Sequence, residues 1–479
     1  MSFRCLYATL SSMNNAKQRN TFSGSIGFVL AAAGSAVGLG NIWRFPYLAA
    51  KDGGGLFLVI YLVLAVTFGF TLLTTEVAIG RKTKQSPLTA YKKLHEGGGW
   101  LGSIACIIPM MIMPYYCIIG GWVLKYAVTF LTGHGLEAAE SSFFTGFITS
   151  PVEPIVYTAI FLFVSCFVIY RGVTKGIEAF SRMLMPVLLL LVVGIAVFAL
   201  TMRHSGDDGT VRTGMQGLKI FAVPDISQLT PNTFLVTLMD AMGQLFYSLS
   251  VAMGIMVAYG SYVKDDENLV KSINRIEIFD TAVAILAGVM IIPTVYVFMG
   301  REGIGASGPG LMFVAMPKVF AQMGAVGRWI GVLFFVMVLF AAVTSSVSIL
   351  EAIVSSFMDH FHISRRRSTV IEGIIAFAVG IVICMGYNVL YFELRLPNGV
   401  SAQILDIMDY ISNQILMPVV AIGTCILIGW ILKPGTIISE ATKNGEKFGR
   451  KRLYVFMIRY ASPVLLLILF LKSLGLLNL

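Results

Sequence analysis

The residues in this chain that could do chemistry are oxygen donors set in apolar surroundings. "AAGSAVGLGN", residues 32–41, lies in a stretch with no charged residue from Gly24 to Trp43. Gly34, Ser35, Gly38 and Gly40 weaken a helix there, and Asn41, Arg44 and Pro46 follow. An unwound stretch frees carbonyls that a helix would consume. A second such stretch is "GQLFYSLSVAMGIMVAYGSYV", residues 243–263. There Ser248, Ser250 and Gly254 interrupt an apolar run, and Asp240 and Gln244 stand close to it. A third group, "AAVTSS" (341–346), offers the Ala341 carbonyl and the Thr344 and Ser345 hydroxyls within one helical turn. Two plainer uses stay open. Small residues let helices pack closely, and serine and threonine hydroxyls bond back to their own helix. Packing alone has no need of Asn41, Arg44 or Pro46.

The elements that must position these residues are membrane helices. Of 479 residues, 57% are hydrophobic and 13% charged, and the mean hydropathy is +0.82. That composition excludes a soluble globular domain and fits a polytopic membrane protein. A helix needs about 20 apolar residues to cross the hydrocarbon core. Eleven segments qualify: 24–50, 55–80, 100–130, 153–171, 178–202, 231–262, 270–300, 325–358, 368–392, 402–432 and 453–473. Residues 305–323 are too short and broken to cross and read as a re-entrant or surface helical hairpin.

The net charge of +10 does not imply nucleic acid. The cations fall in every second loop: Arg81, Lys82, Lys84, Lys92 and Lys93, then Arg171, Lys175 and Arg182, then Lys264, Lys271 and Arg275, then Arg365 to Arg367, then Lys433 to Arg452. The loop 131–152 has Glu137 and Glu140 and no Lys or Arg. This alternation places the N-terminus in the cytoplasm and, with an odd span count, the C-terminus outside. The six cysteines are scattered and read as inert thiols, with no metal spacing and no disulfide framework. There is no short apolar leader with a cleavage site. No nucleotide loop, metal-ligand cluster or nucleophile–base pair appears, so an enzyme is not expected.

Six stretches together resemble the neurotransmitter:sodium symporter family in its bacterial amino-acid transporter branch. They are "GSAVGLGNIWRFPY" (34–47), "GGGLF" (53–57), "EVAIGR" (76–81), "YYCIIGGW" (115–122), "SLSVAMG" (248–254) and "AAVTSSVSILE" (341–351). The resemblance runs from about residue 19 to 430. It implies an all-α polytopic membrane protein with a 5+5 inverted repeat and discontinuous helices 1 and 6. Interrupted segments at matching positions of two halves point to a transport site, a pattern for which this family is itself a type case. The expected organisation is a cytoplasmic N-terminal segment (1–23), a first repeat (24–202), an extracellular loop (203–230), a second repeat (231–432), and a cytoplasmic loop with one peripheral helix (433–479).

The resemblance also assigns roles. One sodium site takes Ala36, Asn41, Ser248 and Asp280; the other takes Gly34, Val37, Ala341, Thr344 and Ser345. Asp280 stands where the family usually has Asn, and Ala284 where chloride is usually held by Ser. A buried carboxylate needs a partner, and sodium is one, so Asp280 is expected to replace chloride and to take up a proton on the return step. The plainer alternative is a solvent-facing carboxylate near the end of span seven. Gly38, where monoamine members carry Asp, leaves room for a substrate carboxylate. The Tyr116 hydroxyl would donate to it, and carbonyls of the broken span six would take the ammonium group. Ile112, Tyr116, Phe246, Tyr247, Ser250, Met253, Ser345 and Ile349 complete the binding site, with Tyr116 and either Phe246 or Tyr247 as lid. None is charged, so a neutral and bulky amino acid fits best.

Arg44 and Asp409 match the outer gate. Arg19, Phe22, Tyr262 and Asp359 match the inner one, with Phe22 where the family usually has Trp. Gly176 and Pro186 match the pair that lets span five unwind. The expectation is therefore sodium-coupled symport of a neutral amino acid, with two sodium ions and no chloride requirement. Its setting would be a bacterial inner membrane, amid lipid, as a monomer or weak homodimer. The alternatives are a proton-coupled transporter of the same fold, with Asp280 or Glu76 carrying the proton, and a substrate sensor that binds without pumping.

Overall fold

The computed structural model describes residues 21–206, 209–227, 229–305 and 308–477. Among them, nine helices are long and apolar enough to cross a membrane. They are Gly55–Thr83, Glu96–Leu131, Glu153–Tyr170, Val173–Thr201, Leu269–Ile304, Ala325–Phe361, Arg365–Met385, Ile404–Ile431 and Lys451–Ser473, which are spans two to five and seven to eleven. Span one is a bent pair, Ser25–Ala36 and Gly40–Lys51, turning through 54°. Span six is also divided, into Pro231–Ser248 and Ile255–Gly260. The molecule is thus an all-helical membrane bundle with its first and sixth spans broken where the glycines and serines predicted.

Three features differ from the sequence reading. Residues 308–322 form one helical run, in the pieces Gly308–Gly310, Leu311–Ala315 and Met316–Gln322, in place of a hairpin. Its apolar character serves packing: the Phe313 ring meets Trp43, Trp122, Tyr126 and Phe144, and its carbonyl accepts a 2.8 Å bond from the Tyr126 hydroxyl. Span nine ends at Met385, short of 392, because a turn begins at Gly386. Two short antiparallel ladders appear in loops, Arg203–Ser205 with Val211–Thr213 and Leu394–Arg395 with Ser401–Ala402.

Close helix approach holds the short half-helix of span six. A Cβ at Gly80 would lie 2.0 Å from the Val257 carbonyl oxygen, and one at Gly260 would lie 2.3 Å from that of Val77. Only glycine permits the two backbones to touch. The next residue after Gly80, Arg81, is fully buried and ties three segments together at the end of the bundle that carries the basic loops. Its Nε donates to Glu440 Oε1 at 2.7 Å, Nη1 donates to the Glu267 carbonyl at 2.8 Å, and Nη2 donates to the Glu440 carbonyl. Arg81→Ala would leave Glu440 buried without its cation. It is expected to destabilise the fold by about 3 kcal/mol, seen as a lower thermal midpoint, with Arg81→Lys recovering only part because the forked donors are lost.

Candidate functional site

The two breaks face each other near the middle of the bundle. Span one loses its helix at Val37, whose backbone is extended. Span six is non-helical over 249–254, with Ser250 (φ 53°), Ala252 (φ 63°) and Gly254 (φ 75°) in the left-handed region. Two non-glycine residues there are strained and must be held by their surroundings. Side chains supply the restraint. Glu76 Oε1 accepts from the Ala252 amide at 2.6 Å. The Ser250 hydroxyl donates to the Ser35 carbonyl at 3.2 Å, and Ser35 Oγ donates to Ser250 Oγ at 3.1 Å. Span six thus satisfies a freed carbonyl of span one, and span two satisfies a freed amide of span six, as the hydrocarbon interior requires.

Between them lies a small cavity. Among the sequence-predicted residues, Ala36, Gly38, Asn41, Ile112, Tyr116, Tyr247, Ser248, Ser250, Met253, Ser345 and Ile349 line it. Its volume is about 30 Å³, which is space for water and not for a side chain. Phe246 does not line it. Phe246 points into a separate cavity toward the opposite end, and Tyr247 forms the wall shared by both; adjacent helical positions diverge by about 100°, so one of the two had to turn away. The Tyr116 hydroxyl is buried and has no hydrogen-bond partner. A Cβ at Gly38 would sit 2.9 Å from Ser345 Oγ and 3.4 Å from that hydroxyl. Gly38 therefore keeps open the space that Tyr116 overlooks.

Beside the cavity is a cluster of oxygens. Asn41 Nδ2 and Ser248 Oγ each donate to Asp280 Oδ1 at 2.8 Å, and Ser248 Oγ also lies 3.2 Å from Asn41 Oδ1. Asp280 is fully buried, which removes the solvent-facing alternative, and its Oδ2 has no partner. Two neighbours were not assigned from sequence. Tyr61, in span two, places a buried, unpartnered hydroxyl next to Asp280 and Ser248. Gln244 donates from Nε2 to the Gly40 carbonyl at 3.1 Å and leaves Oε1 unpartnered. Nothing in span spacing marks Tyr61, although Gln244 was visible as a polar residue one turn before Ser248.

On the other side of span one, Ser345 Oγ lies 3.4, 3.1 and 3.4 Å from the carbonyl oxygens of Gly34, Ser35 and Val37. Thr344 behaves differently. Its hydroxyl bonds back to Phe340 and Ala341 in its own helix, at 2.9 and 3.1 Å, while its Cβ lies against Gly34. The freed carbonyls of span one and the hydroxyl face of span eight thus meet as a set of oxygen donors with no nitrogen or sulfur ligand among them.

Arg44 and Asp409 both line the cavity above Tyr247, whose volume is about 200 Å³. They make no direct ion pair. Asp409 Oδ1 accepts instead from Asn413 Nδ2 at 2.6 Å and from the Tyr115 hydroxyl at 3.2 Å. The expected outer pair is therefore present across an open space and not closed.

The basic end is shut. Arg19 lies outside the described residues, so its pairing with Asp359 is not described; Asp359 accepts from the Ser86 amide at 2.6 Å. The Phe22 amide donates to the Tyr262 carbonyl at 3.1 Å, and its ring packs on Tyr259 and Tyr262. The Tyr262 hydroxyl donates to Glu351 at 2.5 Å, and Arg365 grips Glu351 with both terminal nitrogens, at 2.5 and 2.9 Å. Glu351 and Arg365 were missed as site residues because they lie 14 positions apart on two helices. Glu178 accepts from the Ser23 amide at 2.9 Å and pairs with Arg182 at 2.7 Å, joining span one to span five. Gly176 falls in a π-helical turn, Val173–Glu178, and Pro186 lies within the helix that follows. That segment is wound in this conformation.

Comparison with known proteins agrees with this geometry. The pattern of the Sodium:neurotransmitter symporter family matches residues 19–142 and 148–478. An uncharacterized sodium-dependent transporter of Bacillus subtilis (strain 168) is 33% identical over 467 residues, covering 95% of this chain and 98% of the relative. A second, from Haemophilus influenzae, is 29% identical over 478 residues, covering 96% of this chain and 99% of the relative. The crystal structure of MhsT in complex with L-phenylalanine superposes with a TM-score of 0.82 at 32% identity, covering 95% of this chain and all of that one. The broken helices, the facing oxygens and the extent of these matches lead to one conclusion: this chain is a multi-pass membrane transporter belonging to the sodium:neurotransmitter symporter family.

Proposed function

We propose that this transporter couples sodium to the inward movement of a neutral, bulky amino acid, aromatic or branched, without chloride. The observation that carries the reading is the cavity between the two breaks, where the unpartnered Tyr116 hydroxyl overlooks Gly38. A substrate carboxylate there would meet that donor and the positive end of a half-helix. The remaining wall, Ile112, Tyr247, Met253 and Ile349, is uncharged, and a charged side chain would lie unpaired against it. A solved relative described with L-phenylalanine supports the same substrate class. Because the cavity is only water-sized in this conformation, Met253, with its flexible thioether, is the side chain best suited to yield to a ring.

Sodium in this reading is cargo, carried together with the amino acid. The donor sets fit it, since every group is oxygen and Asp280 Oδ2 lacks a partner. Asn41, Ser248 and Asp280 with the Ala36 carbonyl would hold one ion; the carbonyls of Gly34, Val37 and Ala341 with Thr344 and Ser345 would hold the other. The fixed carboxylate supplies the negative charge that chloride brings elsewhere in the family. For the second site the Thr344 hydroxyl must turn from its own helix. Alternating access would then close Arg44 toward Asp409 over Tyr247, and break the Tyr262–Glu351–Arg365 and Ser23–Glu178 contacts as span five unwinds at Gly176 and Pro186. The two halves, 24–202 and 231–432, are the units that rearrange. The basic loops support a cytoplasmic setting for that second end and for the N-terminus, and the bacterial relatives support a bacterial inner membrane.

Binding of labelled phenylalanine, tryptophan and leucine to purified protein, with sodium titrated in the presence and absence of chloride, tests the reading. Binding that needs sodium and ignores chloride supports it; binding that survives without sodium and follows pH points to the proton-coupled alternative. Asp280→Asn removes the fixed charge and is expected to weaken sodium-dependent binding by about ten- to a hundredfold, with partial recovery in chloride. Gly38→Ala sets a methyl group against Ser345 and Tyr116 and is expected to lower amino-acid affinity by about tenfold or more, while the fold stays intact by circular dichroism.

A further inference from the structure

One buried carboxyl plays no part in the transport site. Glu372, in span nine, is fully buried, and both of its oxygens lack a hydrogen-bond partner. The titratable groups facing it are thiols: Cys106 and Cys117 of span three and Cys166 of span four. Span eight brings Ser356 beside Cys106; its two carboxylates at this end, Glu351 and Asp359, are engaged with Arg365 and the Ser86 amide. The short helix Ser141–Thr149, which also packs on span nine, has no titratable residue. On span nine itself Arg365 is committed to Glu351, and Arg366 stacks on the Tyr170 ring. Arg367, on the same helix, is exposed, and among the described residues no cation pairs with Glu372; a carboxylate cannot stay charged and unpaired in such surroundings.

We propose that Glu372 is a proton-binding site of this transporter, separate from Asp280, and that it carries its proton in the conformation described. The ligand is a hydron taken from water: the carboxylate gains a proton to become the neutral acid, and loses it to water when the packing of spans three, four and nine parts. Next to the site, on the lipid side, spans four and nine leave an apolar groove of about 490 Å³, lined by Leu162, Phe163, Cys166, Phe167, Gly373 and Phe377. Cys166 is common to the groove and the Glu372 pocket: a Cβ at the adjoining Gly373 would lie 3.1 Å from its Sγ. A neutral acid behind an apolar wall is the target of a lipid-soluble carbodiimide, which adds across the carboxyl O–H to give an O-acylurea that rearranges to a stable N-acylurea. An ionised carboxylate in water reacts instead with a water-soluble carbodiimide and an amine.

The full chain in lipid nanodiscs would be treated with dicyclohexylcarbodiimide or with a water-soluble carbodiimide, and the labelled peptides read by mass spectrometry. At neutral pH Glu372 should be labelled by the lipid-soluble reagent at least about tenfold more than Glu178 or Glu351, whose carboxylates are held by Arg182 and Arg365. The water-soluble reagent should leave it untouched. Because ionisation of Glu372 has no compensation in the fold, the wild-type thermal midpoint should fall as pH is raised into the alkaline range. Glu372→Gln and Glu372→Leu should both blunt that fall. Absence of the lipid-soluble adduct, labelling by the water-soluble reagent, or an unchanged alkaline fall in both variants overturns the proposal. None of these readouts depends on which solute is carried.

Discussion

The constraint on which the rest of this structure depends is that backbone unwound at membrane depth must be satisfied by protein. Two helices are broken beside one another, and neighbouring spans supply what the breaks lack. Ser250 answers the Ser35 carbonyl, Glu76 of span two answers the Ala252 amide, and the Ser345 hydroxyl of span eight lies within reach of three carbonyls of span one. No water from the bilayer core could do this. The arrangement also explains why the donors concentrate at one place. Oxygens released from helical bonding and held by neighbours are already oriented, and a cation can replace a hydroxyl hydrogen bond without rebuilding the backbone.

Buried acids in this bundle are distinguished by their partners. Glu351 is gripped by Arg365 and Tyr262 and closes one end of the molecule. Glu76 is bonded on one oxygen to a freed amide, and Asp280 on one oxygen to Asn41 and Ser248. Glu372 has none. A charge is tolerable in the first case because its cation is fixed beside it, whereas in the last it would have no such partner among the described residues. Asp280 lies between, with one oxygen unpartnered, which is the condition under which an arriving cation gains the most.

The asymmetry of the two ends follows from the same interactions. At the basic end aromatic packing around Phe22 and ion pairs such as Arg81–Glu440 and Arg365–Glu351 hold the helices together. At the other end Arg44 and Asp409 line one open cavity, and Tyr247 is a wall that it shares with the central cavity. A conformation that is locked at one end and open at the other is what a transporter needs while awaiting solute from the unlocked side.

The span count, the two breaks, the alternation of basic loops and the oxygen-rich stretch at 341–346 were legible in the sequence, since hydrophobic length, glycine and charge act locally and leave their mark on residues near in the chain. The pairing of Asn41, Ser248 and Asp280 was reachable only through resemblance, because those residues come from three spans. Which of Phe246 and Tyr247 faces the cavity, the inward turn of Ser345 against the self-bonded Thr344, the gap between Arg44 and Asp409, and the presence of Tyr61 were decided by the tertiary structure alone. Each depends on the rotation of one helix about its axis against another, and that angle is set by close contacts such as Gly80 with Val257 and Gly260 with Val77, which join residues about 180 positions apart.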